Sequence, residues 1–191
     1  MKEMINTSLF FLRHLKTQYN RDNLISGRED IDILKGQSII SLSASNNEYD
    51  IVLCSPLKRC LSTLSLLPND CMKSVRYIDE LSERNMGILE GLNKTEAQIR
   101  YPLLFCGNKI DVSADIPGGE SIYEVQQRLK VIVAYIKSNP DENILICSHN
   151  QTLKILYFLL HEMPVTNDAW QCLNFPNGVL INVSDMNSNN I

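Results

Sequence analysis

Asn143-Ile-Leu-Ile-Cys-Ser-His-Asn150 is the stretch whose reading decides the fold. Asn143–Cys147 is a short apolar run without alternation, the signature of a strand buried on both faces. Beyond His149, Leu153, Leu156 and Leu160 recur at helical spacing. A buried strand therefore runs through Ser148-His149 into a helix. The same grammar occurs twice upstream. The apolar run Ser8–Leu12 ends in Arg13-His14, and Ile51–Cys54 leads into Ser55-Pro56-Leu57-Lys58-Arg59. Ser55 and Pro56 read there as an N-cap and first-turn proline, with Leu57, Leu61, Leu64 and Leu67 on one helical face before Pro68. Ser121 and Glu124 form a capping box opening a helix to Lys137, and Ile122, Val125, Leu129, Ile132, Val133 and Ile136 make its apolar stripe. Cys172–Phe175, the turn Pro176-Asn177-Gly178 and Val179–Val183 read as a strand pair. Strands alternating with helices argue for an α/β fold with a mainly parallel sheet.

Composition bounds the function. The chain has 191 residues, and 18 Lys+Arg against 22 Asp+Glu give a net charge of −4. Its apolar content of 44% suits one globular domain over residues 1–191 and excludes wholesale disorder. Mild acidity argues against nucleic acid, which wants a basic face. Leu9–Leu12 is too short for a signal core, and Ile155–Leu160, the longest apolar stretch, is too short for a membrane span. A cytoplasmic location without membrane attachment is expected. The six cysteines (54, 60, 71, 106, 147, 172) have no CxxC or zinc spacing and read as reduced core residues, with no metal site. Tyr101–Gly119 carries Pro102, Gly107, Pro117, Gly118 and Gly119 without a sustained period; it reads as a binding loop within a lid at about 95–119.

In an open α/β sheet, ligands bind outside the carboxyl ends of parallel strands. If these three strands are parallel, Arg13, His14, Arg59 and His149 converge at one edge. Helix N-termini at that edge add free N–H groups. A cationic pocket inside an acidic protein has the character of a phosphate site.

These residues, in this order, resemble the histidine phosphatase superfamily. Leu12-Arg13-His14-Leu15-Lys16-Thr17 looks like its RHG motif. Ser55-Pro56-Leu57-Lys58-Arg59-Cys60 with Thr63 looks like SPLxRAxxT, and Ser148-His149-Asn150 is similar to SHG. Asn20 and Ser26-Gly27 fall at the spacing from His14 that phosphoglycerate mutases use for phosphate contacts. Leu81–Gly87 and Gly91-Leu92-Asn93-Lys94 look like the mutase ER segment and GLNK, and Pro117–Ser121 resembles GGES. The resemblance implies a three-layer, phosphoglycerate mutase-like fold and a phosphatase needing no metal or cofactor. His14 would form a phosphohistidine, with Arg13, Arg59 and His149 holding the phosphoryl group and Glu83 as general acid and base. Asn20, Ser26, Gly27 and Asn150 would complete the cradle, and Arg84 and Lys94 would contact a small phosphorylated metabolite. Oligomeric state stays open, a homodimer being one outcome.

Four positions depart from the pattern. Leu15 and Asn150 stand where the family has glycine, Met86 where the mutases have tyrosine, and Lys154 where arginine is frequent. Between Glu96 and Pro117 the only cations are Arg100 and Lys109, so the lid is shorter than a mutase's and should favour hydrolysis. Phosphoglycerate mutase activity is the alternative. A catalytically impaired phospho-ligand binding protein, motivated by Leu15, is another.

Overall fold

The computed structural model describes residues 8–41 and 48–186; the reading of the first seven residues as lacking a secretion signal lies outside them. The three apolar runs become β1 (Leu9–Arg13), β3 (Ile51–Cys54) and β7 (Ile144–Ser148). With β2 (Ile40–Ser41), β4 (Val75–Tyr77) and β8 (Val179–Asn182) they form one sheet in the order β2-β8-β1-β7-β3-β4. Every pairing is parallel except β8 against β1.

The alternation of side chains along each strand builds two cores. Phe11, Leu53, Ile144 and Ile146 face the helices α4 (Ile122–Ser138) and α5 (Asn150–Leu160), meeting Leu129, Ile132, Ile136 and Leu156. Phe10, Leu12, Val52, Leu145 and Cys147 face the other way, onto Cys60 and Leu64 of α2 (Lys58–Leu64). Helix, sheet and helix make the three layers. A third cluster, Ile25, Met86, Leu89, Ala97 and Ile116, packs under the lid. Met86, the departure from tyrosine, is thus a core residue there.

Register positions the chemistry. Leu9 pairs with Ile144, Arg13 with Ser148, and Cys54 with Cys147. The three strands end nearly level, so the residues that follow them share one edge. The capping box at Ser121–Glu124 starts α4 as the sequence indicates.

Three local readings are corrected. Cys172 ends a helix, α6 (Asn167–Cys172), and Phe175 is a core plug packed edge-on against Phe11, ring centroids 5.5 Å apart. Only the Val179 segment is a strand, and its partners are β1 and β2. Ser55 does not cap α2: Leu57 occupies that position, and the Lys58 N–H donates to the Asp30 carboxylate at 2.8 Å. The lid is more ordered than its composition suggests. It contains α3 (Lys94–Arg100) and a hairpin of β5 (Phe105–Cys106) and β6 (Lys109–Ile110) turning at Gly107. The short α1 (Gln18–Arg21) follows β1.

Cys54, Cys60 and Cys147 are buried free thiols, whereas Cys106 and Cys172 are exposed, so the core reading of the cysteines holds only in part. Among the described residues no helix is long and apolar enough to cross a membrane.

Candidate active site

His14 follows β1, and its backbone N–H continues the ladder to the Ser148 carbonyl at 3.0 Å. Its Nδ1 lies 2.7 Å from the Leu15 carbonyl oxygen. A carbonyl only accepts, so Nδ1 carries the proton and Nε2 presents its lone pair. The ring is buried. Burial, then the positive charges of Arg59 and Arg13, hold its pKa well below the ordinary histidine value. His14 is therefore a neutral imidazole at neutral pH, the state a nucleophile needs.

Leu15 is compatible with this arrangement. Its φ is not in the left-handed region, so nothing about its backbone demands glycine. Its N–H donates to Thr63 Oγ1 at 2.9 Å, and Thr63 in turn donates to the Arg59 carbonyl at 2.6 Å. The leucine side chain occupies space that a side chain at position 178 would need: a Cβ on Gly178 would lie 2.3 Å from Leu15 Cδ2. Asn150, the other replaced glycine, lies in α5 and accepts the Phe175 N–H at 3.2 Å.

Arg13 and Arg59 flank the nucleophile in different ways. Arg13 donates from Nη1 to the Phe175 carbonyl at 2.9 Å, while its Nε is buried without a hydrogen-bond partner. An unpartnered buried guanidinium N–H is a donor that an anion would satisfy. Arg59 is fully buried. Its Nη2 donates to the Gly27 carbonyl at 2.7 Å, its Nη1 to the Glu29 carbonyl at 2.6 Å and its Nε to His149 Nδ1 at 3.0 Å. Three of its five N–H groups are thereby engaged, leaving two.

His149, read from the sequence as a phosphate contact, is held between two protein groups. Arginine cannot accept, so His149 Nδ1 is the acceptor, and Nε2 carries the proton toward Ser55 Oγ at 2.8 Å. Both ring nitrogens are tied to protein groups. Burial and the neighbouring Arg59 push its pKa well below 6.5, so it too is neutral. His149 stands beside His14, ring centroids 5.2 Å apart, and fixes the orientation of Arg59.

Glu83 sits at the start of α5. Its Oε1 accepts from the Thr152 N–H and hydroxyl, both at 3.1 Å, and from the Arg84 N–H at 3.0 Å; Oε2 accepts from the Gln151 N–H at 3.3 Å. The helix N-terminus thus seats the carboxylate, and its charge acts on both Arg13 and Arg59.

Gly27 has φ +45°, and a Cβ there would lie 2.0 Å from Glu90 Oε1. The positive φ favours glycine, and a Cβ would displace the Glu90 side chain. Gly27→Ala should destabilise the fold by about 1–3 kcal/mol in denaturant titration, the cost of a side-chain residue at a positive φ. Ser26 is half-buried beside it. Asn20 Oδ1 accepts from the Thr17 N–H and hydroxyl, a local capping role. Lys94 keeps solvent contact, and its pKa is lowered by partial desolvation and then by Arg13, which places the two cations near one another.

Arg84 is buried and donates from Nε to the Glu120 carbonyl at 2.6 Å and from Nη2 to the Ala114 carbonyl at 3.3 Å, which ties it to the lid. Lys154 likewise serves packing: Nζ donates to the Trp170 carbonyl at 2.7 Å, 4.8 Å from the indole centre, and burial pulls its pKa to about 8.

Thr63, Ser55, Asp30 and Asn177, whose Nδ2 donates to the His14 carbonyl at 2.8 Å, are not among the site residues the sequence reading names. Each binds a backbone group or a residue distant in sequence, and only the motif serine and threonine left a signal. Among the described residues no group of three His, Cys, Asp or Glu side chains is arranged to hold a metal ion.

Comparison with known proteins identifies the family. The family model for the histidine phosphatase superfamily, branch 1, matches residues 9–185. A 2,3-bisphosphoglycerate-dependent phosphoglycerate mutase of Cytophaga hutchinsonii is 30% identical over 169 residues, 81% of this chain and 78% of its own. A Hydrogenobacter thermophilus protein provisionally named phosphoserine phosphatase 2 is 27% identical, over 83% and 81% of the two chains. Among solved structures, a mycobacterial glucosyl-3-phosphoglycerate phosphatase in complex with VO3 superposes with a TM-score of 0.72 at 22% identity, over 91% of this chain and 90% of that one.

Proposed function

The chain belongs to the histidine phosphatase superfamily, branch 1, and from that premise we propose that it is a metal-independent phosphatase hydrolysing a small-metabolite phosphomonoester through a phosphohistidine on His14. The observation that carries the reading is the Nδ1–Leu15 hydrogen bond of a buried, neutral His14 flanked by Arg13 and Arg59.

His14 Nε2 attacks phosphorus, and the bond from phosphorus to the ester oxygen breaks. Arg13 Nε and the two remaining N–H groups of Arg59 offset the charge on the transferring phosphoryl oxygens. Glu83 gives its proton to the departing alkoxide. Water then attacks the phosphohistidine, Glu83 takes a proton from it, and free phosphate leaves with His14 restored. Ser26, Asn20, the Gly27 backbone and Asn150 line the cradle, and Lys94 faces the organic part of the substrate. Arg84 and His149 act at one remove, through the lid and through Arg59.

The experiment is a panel of phosphomonoesters turned over in the presence of chelator, followed by quenching in alkaline detergent and acid treatment of the trapped phosphoenzyme. An ester hydrolysed with an acid-labile, base-stable phosphoenzyme supports the reading. No turnover on any ester sinks it.

Phosphoglycerate mutase activity is the second reading, favoured by the name of the Cytophaga relative. Against it stands the lid, where Arg100 pairs with Glu96 and Lys109 sits in β6, leaving little to grip a retained product. Failure to interconvert 2- and 3-phosphoglycerate rejects it. The impaired-binder reading is disfavoured by the seat of Leu15, whose side chain packs over Gly178, where there is no side chain to displace it.

A further inference from the structure

The loop Gly27–Asp30 is held from two sides. Arg59 takes the Gly27 and Glu29 carbonyls from the phosphate side. Arg28 reaches the opposite way: Nε donates to the Glu83 carbonyl at 3.2 Å, Nη2 to Glu120 Oε1 at 3.0 Å, and its backbone N–H to Glu90 Oε1 at 2.9 Å. Glu120 is itself anchored. It accepts from Arg128 Nε at 3.0 Å and from the Asn85 N–H at 2.8 Å, and the side chains of Glu120 and Arg128 are only 18% and 14% exposed. A largely buried, multiply bonded ion pair holds geometry better than an exposed one.

We infer that Arg28, steadied by Glu120, is a positioning residue that sets Glu83 against the phosphoryl cradle. The inference rests on the proposed acid–base role of Glu83. The Glu83 carboxylate is seated by the N-terminus of α5, but its backbone is tied to the loop through the Arg28 guanidinium. That loop is the same one Arg59 grips. One four-residue path, from Arg59 through Gly27 and Arg28 to Glu83, therefore links the group that binds phosphoryl oxygen to the group that protonates the leaving oxygen. Loss of Arg28 frees the Glu83 carbonyl and lets the acid drift from the line of the breaking bond.

The leaving group reads this out. An alkyl phosphate expels a basic alkoxide and needs the proton, whereas p-nitrophenyl phosphate expels a weakly basic phenolate and does not. The parameter kcat/KM reports the steps through leaving-group departure, before Glu83 acts as a base on water. Arg28→Ala should lower kcat/KM on an alkyl phosphomonoester on the order of 10- to 100-fold, the scale of a misplaced catalytic group, with less than about a threefold change on p-nitrophenyl phosphate. Glu120→Gln should show the same split more weakly, and Arg28→Lys should lie between Arg28→Ala and wild type. If Arg28→Ala does not fold, the other two variants carry the comparison. Equal losses on both esters, or no loss on either, overturn the positioning role. A wild-type chain inert on both esters overturns the phosphatase reading itself, and the inference with it.

Discussion

Replacement of His14 by alanine is expected to abolish turnover and the trapped phosphoenzyme together. The change removes the proposed attacking atom, Nε2, whose lone pair is fixed by the 2.7 Å bond from Nδ1 to the Leu15 carbonyl. Arg13 and Arg59 would remain, and with them phosphate binding. The fall in kcat should be on the order of 10⁴- to 10⁶-fold, as when a covalent nucleophile is removed from a site that keeps its electrostatics. Substantial turnover by His14→Ala rejects the phosphohistidine. The pH profile gives a second check. A histidine whose pKa is held well below 6.5 keeps its lone pair as the solution is acidified. The rate should therefore show no loss from His14 protonation as pH falls through 6.5, unlike that of a solvent-exposed imidazole. Stability behaves oppositely. His14 and His149 both have folded pKa values below the unfolded one, so the unfolded chain binds more protons in acid. Their contribution is present above about pH 6.5 and is lost as pH falls from there toward the folded values, at up to about 1.4 kcal/mol per pH unit for each ring.

How much of this was legible beforehand depends on what each residue binds. The sheet was readable because Ile51–Cys54 and Asn143–Cys147 are apolar on both faces, a pattern with few other uses. The level ends of those strands brought Arg13, His14, Arg59 and His149 together as their positions implied. Backbone partners were not readable. Nothing in the identity of Gly27 or Glu29 says that their carbonyls receive Arg59, nor that the carbonyl of Glu120 receives Arg84. For that reason the sequence does not show that Arg84 is tied to the Glu120 and Ala114 carbonyls. His149 was placed correctly, but its tautomer follows from Ser55 and Arg59, which lie 94 and 90 residues away. Phe175 looked like part of a strand because an aromatic in an apolar run suits a sheet. A plug against Phe11 makes the same demand on composition, and only tertiary packing separates the two.

Arg59→Ala should combine the largest stability loss with a near-complete loss of activity. The guanidinium is fully buried and makes three hydrogen bonds inside the protein, to Gly27, to Glu29 and to His149 Nδ1. Truncation strips the Gly27 carbonyl of its guanidinium donor, weakens the bonding of the Glu29 carbonyl and of His149 Nδ1, and opens a void beside His14. Removing one side of such a network costs about 3–5 kcal/mol, and unfolding by denaturant should show it. Activity suffers for a separate reason: no other group spans the phosphoryl pocket from the Gly27 loop to His149, and loss of a preorganised cation there should lower kcat/KM on the order of 10³-fold or more. Arg59→Lys separates the two effects. Lysine restores a charge of +1 and much of the volume, yet a single ammonium cannot reach two carbonyls and an imidazole in the planar fork that arginine provides. Stability should recover in part, while kcat/KM stays at least about a hundredfold below wild type. Full activity in Arg59→Lys would mean that charge alone suffices, and that the loop need not be held where Arg59 holds it.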